Sequence, residues 1–81
     1  MDSHYEKDCA AKIAGMLRRE GLEKYADAIY DDLNGSTDWD IFMGLRFHVL
    51  EFLAFPDGAS RASIDAGREL YACLNKKIGP V

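Results

Sequence analysis

Asp38-Trp39-Asp40-Ile41-Phe42-Met43-Gly44-Leu45-Arg46-Phe47-His48-Val49-Leu50-Glu51-Phe52-Leu53-Ala54 is the most apolar stretch of this chain, and whether it is helix or strand sets the fold class. Phe52 and Leu53 suit a strand, but no alternation of apolar and polar residues persists along the run, so the segment reads as a helix. Thr37 and Asp40 give an S/T-x-x-D variant of the capping box just ahead of it. Asp38 and Asp40 place negative charge at the positive end of the helix dipole. Apolar residues occupy more than one face, a pattern that predicts a central helix contacted from several sides.

On either side of this segment the chain reads as three more helices. Phe55-Pro56-Asp57-Gly58 is a turn, with Pro fixing φ and Gly free to take positive φ. Ser60 can cap a fourth helix over 61–77, whose stripe is Ile64, Gly67, Tyr71, Leu74 and Ile78 with Leu70 beside it. Gly67 inside that stripe costs helix propensity, and its use is the close approach of another helix. Gly79-Pro80 stops the helix. Toward the N-terminus, Leu22, Tyr25, Ala26, Ile29 and Leu33 form the stripe of a helix over 22–33, ended by Asn34-Gly35. Gly21 caps a first helix over 4–20. Its apolar stripe is Tyr5, Cys9, Ile13, Met16 and Leu17, and Ser3 with Glu6 forms a capping box at its start. Repeats and linkers that would divide the chain are absent. The fold class is therefore all-α: one compact four-helix bundle over 1–81.

Composition bounds the function. In 81 residues, 48% hydrophobic and 30% charged content fits an ordinary globular domain and excludes a disordered chain. The net charge of -4 leaves no basic face to displace counterions, which argues against direct nucleic-acid binding. An acidic protein more readily meets a basic protein partner. No apolar run reaches membrane-spanning length and no secretory leader opens the chain, so the cytoplasm is the expected location, with Cys9 and Cys73 as reduced, small, buried hydrophobes.

Chemistry is hard to place. Asp31 to Asp40 looks like a calcium loop, but setting Gly35 at the sixth position puts Tyr30 first and Ile41 twelfth, and neither side chain binds calcium. His48 with Glu51, and His4 with Asp8 and Cys9, supply two or three donors each without any recognised ligand spacing. No motif joins Cys9 or Cys73 to His48 as a nucleophile–base pair, and no glycine-rich phosphate loop is present. The expectation is a non-enzymatic protein without metal or cofactor.

The feature that points to a partner is a run of five acids without a base, Asp27, Asp31, Asp32, Asp38 and Asp40, beside Tyr25, Tyr30 and Trp39. Charge steers a basic partner and aromatics anchor it. The partner-binding set expected from sequence is Tyr25, Asp27, Tyr30, Asp31, Asp32, Asp38 and Trp39. Arg46 and His48 punctuate the apolar helix as structural polar residues, with Arg46 expected to pair with Asp27 or Asp31. The bland alternative is that the acids are only a solvated face and a helix start, and that Trp39 is core.

Gly21-Leu22, Tyr25-Ala26-Asp27, the Gly35-Ser36-Thr37 turn and Ile41 to His48 together resemble a segment of small, uncharacterised bacterial helical proteins. The resemblance covers residues 21–53 and implies helices and a bacterial source, with no activity attached. A small acidic bacterial binder of this kind would be an immunity protein, antitoxin or inhibitor that covers a basic cleft. The alternative is a homodimeric accessory or regulatory protein that associates through an apolar helical seam, since thin cores in small bundles are often supplemented by dimerisation.

Overall fold

A computed structural model describes residues 4–79, which form α1 (His4–Arg19), α2 (Glu23–Leu33), α3 (Asp38–Ala54) and α4 (Arg61–Ile78). The all-α bundle is as expected, and three helix ends differ by one residue, where terminal turns fray. Ser3, expected to cap α1, and Pro80, expected to stop α4, lie outside the described residues.

The helices close into a ring. α1 packs against α2 and α4, and α3 packs against the same two, within extents of 31 × 22 × 20 Å. The expectation of a central α3 is thus corrected: α3 is one corner of four. Its inner residues Ile41, Phe42, Leu45, Val49 and Phe52 enter the core, while its other apolar residues face outward. The core they meet is Ile13 and Leu17 of α1, Ile29 of α2, and Leu70 and Leu74 of α4, all 2% exposed or less. Truncating one of the large members, such as Phe52, costs about 3–5 kcal/mol.

The inward face of α1 is also rotated from the expected stripe. Glu6, Ala10, Ile13, Ala14 and Leu17 are buried, whereas Tyr5 is exposed and Cys9 and Met16 are half-buried. The alanines win the interior because small side chains let neighbouring helices approach closely. Glu6 consequently sits inside, its Oε1 3.6 Å from Lys77 Nζ.

The connections follow from backbone chemistry. Gly21, at φ +84°, ends α1 with Leu22 N–H donating to the Leu17 carbonyl and Gly21 N–H to that of Arg18, a Schellman motif. Gly35 works differently from the expectation. It has no positive φ; instead, a Cβ there would lie 3.0 Å from Ile41 and 3.2 Å from the Asp32 carbonyl, so its smallness serves a close approach. Thr37 Oγ1 accepts from Asp40 N–H at 3.1 Å, and Ser60 Oγ accepts from Ser63 N–H at 3.1 Å, so both expected caps form. Glu20 reinforces the second cap: its carboxylate accepts from Ser60 N–H at 2.8 Å and from the Ser60 and Ser63 hydroxyls at 2.9 Å. Three charge-accepted hydrogen bonds hold the carboxyl of Glu20 below its ordinary value, the Ser60 backbone contact foremost. Gly67 admits α3 as expected, with Phe52 and Leu53 3.2 and 3.3 Å from where its Cβ would stand.

Candidate interaction surface

Two candidate features meet on α2 and α3, an acidic rim and an exposed apolar stripe. The acids largely have partners within the chain. Asp27 accepts from Arg18 at 2.6 Å, and the same guanidinium lies 5.3 Å from the Tyr30 ring centroid. Asp38 accepts from Lys7 at 2.8 Å. Asp40 receives the Ser36 hydroxyl at 3.5 Å. Asp31 is exposed.

Asp32 turns inward. Its Oδ2 lies 2.6 Å from His48 Nδ1, with side-chain exposures of 12% and 27%. Gly44 makes this possible, because a Cβ there would stand 2.7 Å from Asp32 Cγ. Burial pushes the Asp32 carboxyl above its ordinary value, while the hydrogen bond and charge of His48 act the other way.

Tyr25 is likewise part of the frame. Its ring meets Phe52 edge-on at 5.7 Å, and its hydroxyl donates to the Phe55 carbonyl at 3.4 Å. Arg46 does not pair with Asp27 or Asp31, which corrects the expectation. It faces α4, donating to Asn75 Oδ1 at 3.3 Å and to the Gly79 carbonyl. The reason is angular: Arg46 and His48 sit two positions apart on α3, about 200° around the helix, so only one of them can face α2.

The second apolar face of α3 is on the outside, and it includes Trp39, which was expected to meet a partner. Trp39, Met43, Phe47 and Leu50 recur at steps of four, four and three and are 58%, 38%, 63% and 46% exposed. Such spacing places them on one face of a helix. Phe55, 67% exposed, follows just past the end of α3. Met43, Arg46, Phe47 and Leu50 line a shallow depression of about 240 Å³. Asp40 and Glu51, both exposed, border the stripe on the side of Gly44 and α2, and Arg46 borders it on the side of α4. The signal for this face was available in the sequence: α3 carries more apolar residues than one core face can absorb.

The two cysteines do not meet His48. Cys9 and Cys73 line a cavity between α1 and α4, whereas His48 is held by Asp32 of α2. Among the described residues no three His, Cys, Asp or Glu side chains are grouped to hold a metal ion, and no described helix is long and apolar enough to cross a membrane. No protein-family model, curated protein or solved structure matches this chain.

Proposed function

We propose that this protein is a non-enzymatic interaction module whose docking face is the outer stripe of α3, Trp39, Met43, Phe47 and Leu50, and whose partner presents an amphipathic helix with a basic border. The observation that carries the reading is that four large apolar side chains, each more than one-third exposed, are aligned along one unpartnered helix face. Helix-in-groove recognition uses anchors at this spacing. Trp and Phe supply most of the area, and anchors of that size cost about 2 kcal/mol or more on truncation when they are central to an interface.

Charge decides what kind of partner fits. The chain carries -4 overall, and Asp40 and Glu51 run along one border of the stripe. A second copy docked antiparallel about a twofold axis would bring that acidic border against its own image, and like charges so placed oppose association. Lys or Arg on a partner helix meets the same border favourably. Of the residues expected from sequence, Trp39 remains an anchor, Asp31 supplies long-range steering, and Tyr25, Asp27, Tyr30 and Asp38 hold the frame. In this reading the finer role is that of an inhibitor, antitoxin or immunity protein covering a basic surface, which rests on charge and size.

Trp39 is the chain's single tryptophan and reports on its own environment. Titration with a synthetic amphipathic peptide of Leu face and Lys border should shift its emission to the blue, less so at high salt, with the response lost in Phe47→Asp. An equal response to a Glu-bordered peptide, or none to either, would overturn the basic-partner reading. Sedimentation of the protein alone completes the test: a concentration-dependent dimer abolished by Phe47→Asp would instead establish the homodimer.

A further inference from the structure

The geometry points to an oxidative modification site on the opposite side of the bundle: Cys9 of α1 and Cys73 of α4 form a thiol pair that a hydroperoxide converts to an intramolecular disulfide. The register of the two helices places the two cysteines at nearly the same height along the seam. α1 and α4 run antiparallel, with Glu20 against Ser63 at one end and Glu6 against Lys77 at the other. Counting inward equally from both contacts brings Cys9 level with Leu74, one residue from Cys73, or about 1.5 Å of helical rise. Both cysteines are half-buried and line the same cavity of about 240 Å³, together with Tyr5, Lys12, Glu69 and Leu70. The pair is therefore on one side of the seam and open to a small oxidant.

Tyr5 lines the same cavity. Its phenol is pushed up to about 12, first by its hydrogen bond to Cys9 and then by the negative charge of Cys9, Glu69 and Cys73. The Tyr5 hydroxyl donates to Glu69 Oε1 at 3.3 Å.

The chemistry balances with a hydroperoxide as oxidant. One thiolate attacks the terminal peroxide oxygen, the O–O bond breaks, and the released oxide takes a proton to become water or an alcohol. The sulfur is then a sulfenic acid. The second thiol attacks that sulfur, the S–S bond forms, the S–O bond breaks, and water leaves with the proton. A small-molecule thiol reverses the step by exchange. The bridge ties the first helix to the last across most of the chain, so it restricts the unfolded state strongly.

The test is hydrogen peroxide treatment of the purified, reduced full chain, read by intact mass, non-reducing electrophoresis and thermal melting. The expected product is a monomer about 2 Da lighter, migrating faster, melting about 10 °C or more higher, and restored by dithiothreitol. Cys73→Ser should lose all of these changes and carry added oxygen on Cys9 instead, with far-UV circular dichroism confirming that it folds. Added oxygen on both cysteines of the wild-type protein without mass loss would overturn the proposal, as would disulfide-linked dimers in place of the bridged monomer.

Discussion

Gly44→Ala should destabilise this protein even though alanine is the better helix former, and the sign should reverse once Asp32 is removed. Gly44 lies inside α3, where replacing Gly by Ala contributes about 1 kcal/mol through helix propensity. Against that gain stands Asp32, whose Cγ would be 2.7 Å from the new Cβ. The carboxylate has two torsions and can swing aside, but only by giving up its 2.6 Å contact with His48. A part-buried hydrogen bond to a charged group is worth about 1.5–3 kcal/mol. The net expectation is a loss of about 0.5–2 kcal/mol, the difference of the two effects. In an Asp32→Ala background there is no carboxylate to displace, and Gly44→Ala should stabilise by about 0.5–1 kcal/mol. Urea unfolding of the four proteins forms a double-mutant cycle, and the midpoints give both signs directly. Gly44→Ala acting with the same sign in both backgrounds would refute the reasoning, because it would mean that Asp32 is not what occupies the space above Gly44.

Three further outcomes follow from the same structure. Glu20 has a lowered carboxyl in the folded state, so its contribution is present above its ordinary value near 4.5 and lost as pH falls through the folded value; Glu20→Gln should therefore lower the melting temperature at pH 7 and leave it little changed at pH 2, and equal losses at both pH values would count against it. Gly67→Ala should destabilise by about 1–2 kcal/mol in denaturant unfolding, since Phe52 and Leu53 at 3.2 and 3.3 Å must shift in a packed core, and a neutral result would show that the α3–α4 seam yields. Phe47→Ser should change stability by no more than about 0.5 kcal/mol, because its ring is 63% exposed, while weakening the Trp39 response to a basic peptide; a large stability loss would place Phe47 in the core.

The helices and their punctuation are written in short-range residue patterns. Thr37, Ser60 and Gly21 act through neighbours three to five residues away, so their roles are local and readable. Gly67 announced a close approach because a glycine inside an apolar helical stripe has no local use. Periodicity could not say which apolar residues of α3 would be inside, since two faces qualified and one bundle corner can bury only one. The packing ring of α1, α2, α3 and α4 made that choice, sending Phe42 and Phe52 inward and Trp39 and Phe47 out. The same ring set Asp32 against His48, Arg46 against Asn75, and Cys9 on the same cavity as Cys73. Those pairs span 16, 29 and 64 positions along the chain. Local spacing carries no information about contacts so distant in sequence, and only the docking of one helix against another decides them.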